Sequence, residues 1–205
     1  MQPHIAVYAG TFDPVTRGHL SVIERASRLF ERLWVVVAIH PHKTPWFTAD
    51  ERVELLREVC ARFRNVSCAH ARGYVVDFAR AHGARYLVRG VRSTPDVEGE
   101  LALASANRRL APEIETVFVP AHPELSEVSS SRLKQFAEQG QDISEYCPPL
   151  VARRVFDICN LRQHDASGAW LDGSAPPLAA APVAARAAVR ESIALPENTE
   201  RNRHV

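Results

Sequence analysis

The stretch Ile5-Ala-Val-Tyr-Ala-Gly-Thr-Phe-Asp-Pro-Val-Thr-Arg-Gly-His19 joins a short apolar run to the first amphipathic segment of the chain. The apolar run is typical of a strand that is buried on both faces. Gly10 follows it directly, where the backbone can approach a ligand closely, and Asp13-Pro14 favours a turn. His19 then opens a predicted helix, whose free N–H groups and positive dipole end favour an anion. This stretch therefore predicts a strand, a loop and a helix that together bind a phosphate.

The same alternation of apolar runs and amphipathic segments continues through the first 160 residues. The predicted strands are Ile5–Tyr8, Leu33–Ile39, Tyr86–Val88 and Thr116–Val119, with a weaker one near Val66–Cys68. The predicted helices are His19–Glu31, Ala49–Arg62 behind a Thr48 capping box, Val76–His82 and Pro95–Leu110. Such alternation predicts an α/β, Rossmann-like fold with a doubly wound parallel sheet, in which ligands bind at the carboxyl ends of the strands.

The composition predicts one folded domain with a C-terminal extension. The chain has 205 residues, of which 46% are hydrophobic and 24% are charged, as in ordinary soluble domains. We place the boundary at 160/161, because Gly-, Ala- and Pro-rich sequence such as Ser174-Ala-Pro-Pro-Leu-Ala-Ala-Ala-Pro182 follows it. The tail, residues 161–205, has too few large apolar side chains for their burial to offset the conformational entropy lost on folding, so we expect it to be disordered. Its pattern leaves room for one short helix, Val183–Ser192.

Charge and hydropathy exclude several classes of protein. The net charge of +1 and the lack of a basic stripe argue against a nucleic-acid partner. No apolar run approaches the length that crosses a bilayer, so no membrane partner is expected. The first residues lack the features of a secretory signal, which favours the cytoplasm. The four cysteines show no zinc-ligand spacing.

The residues of the first loop leave two roles open for His19. A histidine at a helix N-terminus can donate a hydrogen bond to a phosphoryl oxygen where charge develops, or it can simply cap the helix. The loop contains neither the G-x-G-x-x-G fingerprint of dinucleotide sites nor a P-loop.

Several motifs together resemble one known family. Gly10-Thr-Phe-Asp-Pro-x-Thr-x-Gly-His19 resembles the T/H-x-G-H signature of the nucleotidyltransferase superfamily, and its ten-residue form is similar to that of bacterial phosphopantetheine adenylyltransferases. The further similar segments are Lys43-Thr-Pro-Trp-Phe-Thr48 with Arg52, Arg89-Gly-Val-Arg92, Asp96-x-Glu98-x-Glu100, Asn107 and Val128-Ser-Ser-Ser131. The resemblance covers residues 4–158, in the family's order and spacing, and leaves out the tail.

The resemblance implies an enzyme that transfers an adenylyl group from ATP to 4′-phosphopantetheine, giving dephospho-CoA and pyrophosphate. The implied catalytic residues are His19, Thr11, Lys43 and Arg92. The implied phosphopantetheine contacts are Thr11, Lys43, Val75 and Arg89. The implied ATP contacts are Thr11, Phe12, His19, Gly90, Val91, Arg92, Glu100, Leu125, Ser126, Glu127, Val128, Ser129, Ser130 and Ser131.

The family also implies Mg²⁺ with the ATP, a homohexamer, and CoA as a feedback inhibitor. We find no carboxylate cage in the sequence, so we expect no metal ligands from the protein and expect phosphate and water oxygens to hold the ion.

Each of these residues also has a plain structural interpretation. Lys43 could be a solvated loop lysine, and Arg89 and Arg92 could form ion pairs with Asp96 and Glu98. The serine run could be a helix cap and nothing more. Val75 could belong to ordinary core packing.

Three positions depart from the family pattern, namely Ala9, Gly99 and Leu125. Leu125 stands where an aromatic residue commonly lies near the adenine, so base stacking would be weaker. Two alternatives stay open: a sibling enzyme acting on nicotinamide mononucleotide or glycerol 3-phosphate, and a sensor that binds adenine nucleotides or CoA without turnover, for which Gly99 and Leu125 are the only support.

Overall fold

A five-stranded sheet forms the centre of the protein. The computed structural model describes residues 3–39 and 44–167. The strands are β1 (Ile5–Gly10), β2 (Arg32–Ala38), β3 (Val66–Ala71), β4 (Tyr86–Val91) and β5 (Glu115–Pro120). They are all parallel and lie in the order β3-β2-β1-β4-β5. The predicted α/β doubly wound sheet is confirmed, including its weakest strand, β3.

Helices connect the strands and follow the last one. They are α1 (Arg17–Leu29), α2 (Ala49–Cys60), α3 (Val75–Ala81), α4 (Thr94–Leu110), α5 (Ser130–Glu138) and α6 (Pro149–Ser167), with a 3-10 turn at Pro123–Leu125. All four predicted helices are present, with ends that differ by one or two residues. In residues 3–39 and 44–167, none of the helices is long and apolar enough to cross a membrane.

Side-chain caps explain where two of the helices begin. Thr16 is the N-cap of α1, and it exchanges hydrogen bonds with His19 in a reciprocal capping box. The helix therefore starts at Arg17, two residues before its predicted start. Thr48 and Glu51 form the same arrangement at the start of α2, where the sequence predicted it.

The order of the strands fixes where a ligand can bind. The chain builds β1, β2 and β3 on one side, then crosses back so that β4 pairs with the other edge of β1. Gly10 aligns with Val37 of β2, and Tyr8 aligns with Val88 of β4. The loops that leave β1 and β4 therefore diverge to opposite faces at one crevice, which is the usual ligand site of such sheets.

The predicted boundary at 160/161 lies within the C-terminal helix. The chain divides into two units at Phe156/Asp157, and α6 continues through the predicted boundary at 160/161 to Ser167. Extending a helix that is already formed adds a hydrogen bond for each residue fixed, so the first residues of the tail continue α6. Residues 168–205, with the predicted helix Val183–Ser192, lie outside the described residues.

Close packing between α1 and β4 requires a glycine at position 90. Its φ does not lie in the left-handed region, so the backbone conformation alone does not require a glycine here. A Cβ atom at this position would lie 2.9 Å from Cγ2 of Val22. The missing side chain therefore lets α1 pack closely on the sheet.

We predict that Gly90→Ala lowers the free energy of unfolding by about 1–3 kcal/mol, because overpacking forces α1 away from β4. Gly99→Ala is the matched control. A Cβ at Gly99 meets nothing within 4 Å, and alanine favours helix, so this change should raise stability by about 0.5–1 kcal/mol. Chemical denaturation measures both changes. Equal effects of the two substitutions would contradict the packing argument.

Candidate active site

Phe12 has an unusual backbone conformation in the loop after β1. Its φ is +46°, which is rare for a residue other than glycine, asparagine or aspartate. Its ring is buried and meets Tyr8 and His19 edge to face, with centroid distances of 5.4 and 4.9 Å. The strained backbone thus turns the ring inward, where it supports the imidazole of His19.

Asp13 anchors the same loop from inside the protein. Its buried carboxylate accepts hydrogen bonds from the backbone N–H groups of Trp46 and Phe47, each at 3.0 Å, and from Lys134 Nζ at 2.8 Å. The first loop is thereby fastened both to the segment before α2 and to α5. The predicted site residue Lys43 lies outside the described residues, just before that segment.

Arg52 holds the backbone of Thr11. Its side chain is buried, and Nη1 donates to the Thr11 carbonyl oxygen at 2.8 Å. Burial lowers the pKa of Arg52 from its ordinary value, and the negative charge of nearby Asp13 offsets only part of this shift. No role was predicted for Arg52. A usable signal was its spacing, since Arg52 shares the buried face of α2 with Leu55 and Leu56.

His19 is held in one tautomer. The backbone N–H of Thr16 donates to Nδ1 at 3.0 Å, so Nδ1 must accept and the ring proton of the neutral imidazole lies on Nε2. Burial of the ring, and to a smaller extent the charge of Arg92, lower the pKa of His19 to about 4. At neutral pH the ring is thus uncharged and offers one N–H donor, at Nε2. The two roles left open by the sequence are compatible, because Nδ1 serves the cap and Nε2 stays available.

Arg92 follows β4 and contacts both α4 and the segment after β5. Its Nε donates to Asp96 at 2.9 Å, and its Nη1 lies 3.4 Å from the Val128 carbonyl oxygen. The ion pair with Asp96 is the one the sequence suggested. Glu98 is exposed, and within the described residues it forms no ion pair. Its suggested structural role is therefore absent.

Arg89 lies within β4 and has a different partner from those the sequence suggested. Its Nε and Nη2 donate to the two carboxylate oxygens of Glu100 at 2.5 and 2.7 Å. Its Nη1 donates to the carbonyl oxygen of Ala9 at 2.9 Å. The guanidinium therefore bridges the ends of β4 and β1 at the crevice.

The segment after β5 closes the crevice from the far side. Ser129 caps α5, as the sequence predicted, and Ser130 Oγ donates to the Pro14 carbonyl oxygen at 2.8 Å. A Cβ at Gly18 would lie 3.5 Å from the Val128 carbonyl oxygen, so this segment approaches the start of α1 closely. Most of the residues expected at ATP thus lie on the first loop and the start of α1, at the end of β4 and in the segment 125–131, whereas Glu100 lies on α4 and contacts Arg89.

A cavity of about 170 Å³ lies beside this crevice. The residues that line it are Val7, Ala9, Gly73, Tyr74, Val75, Leu87, Val88, Arg89, Leu103 and Asn107. Two predicted acceptor residues, Val75 and Arg89, therefore share one mostly apolar pocket. A second cavity, of about 480 Å³, includes His4 and Tyr86 at the amino ends of the strands and contains none of the predicted site residues.

Comparison with known proteins first gives the class of protein. The cytidylyltransferase-like family matches residues 7–136. Two solved structures share the fold. One is of a candidate nicotinate-nucleotide adenylyltransferase from Vibrio parahaemolyticus, with a TM-score of 0.55, 20% identity and coverage of 75% of this chain and 99% of that one. The other is of the Plasmodium falciparum nicotinic acid mononucleotide adenylyltransferase complexed with NaAD, with a TM-score of 0.56, 15% identity and coverage of 80% and 97%.

A sequence relative then narrows the class. The phosphopantetheine adenylyltransferase of Heliobacterium modesticaldum is 46% identical over 151 residues, which span 74% of this chain and 90% of the relative. The chain therefore belongs to the phosphopantetheine adenylyltransferase family of cytidylyltransferase-like nucleotidyltransferases.

We predict that an NMR titration gives His19 a pKa of about 4 and shows its proton on Nε2 at pH 7. Because the unfolded pKa is about 6.5, the unfolded chain binds more protons than the folded one between pH 6.5 and 4. The contribution of His19 to stability is therefore fully present above this window and is lost as the pH falls through it. His19→Gln assigns the resonance, and a proton on Nδ1 at pH 7 would contradict the geometry.

Proposed function

We propose that this protein transfers the adenylyl group of ATP to 4′-phosphopantetheine and releases pyrophosphate. The observation that carries the proposal is the arrangement of His19 beside Arg92 at the crevice between β1 and β4. Its Nδ1 is held by Thr16, and its Nε2–H has no hydrogen-bond partner among residues 3–39 and 44–167. A neutral donor fixed at a helix N-terminus suits a phosphoryl oxygen that gains charge in the transition state.

The nucleotide side of the crevice fits a triphosphate. The N-terminal N–H groups of α1 and α5 and the guanidinium of Arg92 offer donors from three elements. In this proposal Gly90, Val91 and the segment 125–131 enclose ATP. The absence of an aromatic wall at Leu125 leaves the adenine held mainly by apolar contact and backbone groups.

The acceptor side fits a phosphate joined to a long, weakly polar arm. Arg89 supplies a cation at one end of the cavity, and Val75 and Leu103 supply apolar wall. We propose that Thr11, Arg89 and Lys43 hold the acceptor phosphate. Within the described residues the hydroxyl of Thr11 has no hydrogen bond, so it is available for this contact.

The proposed reaction is a single in-line displacement. An oxygen of the acceptor phosphate attacks the α-phosphorus of ATP, and the bond from that phosphorus to pyrophosphate breaks. The nucleophile is already an anion, so no general base is needed. His19 donates to an α-phosphoryl oxygen while the loop and the arginines align the two reactants.

Magnesium enters this proposal with the ATP. Within residues 3–39 and 44–167, no group of three or more His, Cys, Asp or Glu side chains could hold a metal ion. Asp13 and Asp96 are already paired with Lys134 and Arg92. We therefore propose that Mg²⁺ is bound by phosphate and water oxygens and that it lessens the charge of the triphosphate.

The compartment and the regulation are also proposals. The four cysteines are free, which suits the reducing cytoplasm. CoA contains both the pantetheine arm and an adenylate, so it would fill both sides of the site and inhibit the enzyme.

The decisive assay is pyrophosphate release from ATP, Mg²⁺ and 4′-phosphopantetheine. We expect turnover with this acceptor and none with nicotinamide mononucleotide, or with CTP and glycerol 3-phosphate. Turnover with only one of those other mixtures would identify a sibling enzyme. ATP or CoA binding without pyrophosphate from any mixture would identify a sensor.

His19→Ala tests the mechanism. We expect turnover to fall by at least ~100-fold while ATP affinity changes little, because the Nε2–H contact strengthens only in the transition state. His4→Ala, at the amino end of β1, is the matched control and should keep full turnover. If His19→Ala weakens ATP binding as much as turnover, His19 binds the ground state instead.

We also propose a homohexamer. Leu101, Leu103 and Leu110 of α4 are exposed, as is Tyr74, which lines the 170 Å³ cavity together with Leu103. Such exposed apolar side chains favour contact with another subunit. Light scattering should give about 137 kDa, six times the 22.8 kDa of the chain. Leu101→Glu should lower this mass, whereas Leu29→Glu, at an exposed position of α1, should not. A monomer mass for the unaltered chain would refute the proposal.

A further inference from the structure

Two of the free cysteines meet between α2 and the edge strand β3. Cys60 is the last residue of α2, and Cys68 lies in the middle of β3, which pairs with β2. Cys68 aligns with Val35 of β2, whereas the residue before Val35, Trp34, contacts Phe78 of α3. Because successive side chains of a strand point to opposite faces, Cys68 faces away from α3. It therefore lies on the side of the sheet where α2 packs against β3.

The two thiols share a hydrogen bond that affects them in opposite ways. This hydrogen bond, together with burial, raises the pKa of Cys60. The same hydrogen bond lowers the pKa of Cys68; burial opposes this shift, and the positive charge of Arg57 supports it. Arg57 is one turn before Cys60 on α2, so it lies on the same face of the helix. Cys60 thus keeps its proton and donates to the sulfur of Cys68, which carries the negative charge.

The two sulfur atoms also differ in their access to solvent. Cys60 is buried, with 3% of its surface exposed, whereas Cys68 is half-buried. A cysteine that solvent reaches and whose thiolate is stabilised by a cation and a donor is the kind that small oxidants attack. A buried thiol beside it meets the oxidant less readily but can react with its oxidised neighbour. The pair therefore combines an attacking thiol with a resolving thiol.

Cys147 has none of these features. It is fully buried, and its thiol donates to the carbonyl oxygen of Ile143 at 3.5 Å. Burial raises the pKa of Cys147 to about 11. It provides an unreactive thiol within the same chain for comparison.

We propose that Cys60 and Cys68 form a site of reversible oxidation, at which Cys68 reacts with a small hydroperoxide and Cys60 then closes a disulfide between α2 and β3. Neither cysteine belongs to the residues around the crevice between β1 and β4. The proposal is therefore independent of the proposed function, and its tests need no turnover.

The chemistry takes two steps. The thiolate of Cys68 attacks one oxygen of the hydroperoxide, the O–O bond breaks, and the leaving oxygen takes up a proton to give an alcohol, or water from hydrogen peroxide. The sulfur, oxidised by two electrons, becomes a sulfenic acid. Cys60 then loses its proton and attacks the sulfur of Cys68, whose S–O bond breaks to release water. In total, two thiols and one hydroperoxide give one disulfide, one alcohol and one water.

The disulfide protects Cys68 from further damage. A sulfenic acid that meets more oxidant becomes a sulfinic acid, which thiols do not reduce. Closing the disulfide with Cys60 stops the oxidation before that point, and an added thiol restores the pair by exchange.

The first test measures the reactivity of each thiol in the reduced, full-length chain. Brief labelling with N-ethylmaleimide, followed by peptide mapping, should show that Cys68 reacts at least ~10-fold faster than Cys147. Arg57→Gln should slow the labelling of Cys68 by about 2- to 5-fold, because it removes the charge that favours the thiolate. Arg64→Gln, at another exposed arginine between Cys60 and Cys68, is the matched control and should leave the rate unchanged.

The second test identifies the product of oxidation by hydrogen peroxide. Trypsin cleaves after arginine, so it places Cys60 in the peptide 58–62 and Cys68 in the peptide 65–72. We expect these two peptides to be joined, lighter by two hydrogen atoms than their sum, and to separate again after treatment with dithiothreitol. This measurement on the unaltered chain needs no substitution.

Two variants separate the roles of the two thiols. In Cys60→Ala, Cys68 should accumulate as a sulfenic acid, which dimedone traps, and then as a sulfinic acid. In Cys68→Ala, Cys60 should stay reduced under the same conditions.

Three results would overturn the inference. They are equal labelling rates of Cys68 and Cys147, a peroxide product in which Cys68 is joined to a cysteine other than Cys60, and a sulfinic acid at Cys68 of the unaltered chain with no disulfide formed.

Discussion

A single buried carboxylate, that of Asp13, joins three parts of the chain that must meet for the site to exist. It accepts from two backbone N–H groups before α2 and from Lys134 on α5, which also lies 5.5 Å from the centre of the Trp46 ring. A buried charge is tolerated when it is paired and hydrogen-bonded in this way. Without these contacts, the loop after β1 would lose its attachment to both neighbouring segments.

Other groups of the candidate site are likewise held in place by contacts within the protein. Arg52 fixes the backbone of Thr11, Asp96 holds Arg92, and Thr16 fixes the ring of His19. Ordering these groups during folding means that little further ordering is required on binding. These side chains are therefore already positioned by the fold itself.

The sequence predicted the parts of this structure that have a local signature. Periodicity placed the strands, and the capping pattern of Thr48 placed the start of α2. The pairing of Asp13 with Lys134 joins residues 121 positions apart, and no local pattern encodes such a contact. The positive φ of Phe12 is likewise a tertiary effect, because a phenylalanine gives no signal for it.

The arginines show where prediction from sequence failed and why. The sequence pattern drew attention to Arg89 and Arg92, but their choice of partner depended on which carboxylates of α4 face the sheet. Helical spacing places Asp96 and Glu100 on one face and turns Glu98 away. The packing requirement for a glycine at position 90 was also not predicted, because the contact with Val22 exists only when α1 is packed on β4.

The strand order has a consequence for the synthesis of the protein. His19, near the start of α1, emerges from the ribosome early. The crevice is closed only after β4 has paired with β1 and Ser130 has reached Pro14, which lies 116 positions away. Contacts this distant in sequence form late, because the loop between them must be closed first. A nascent chain that ends before α5 therefore carries His19 without the contact between Ser130 and Pro14, so the crevice is completed only after most of the fold has been made.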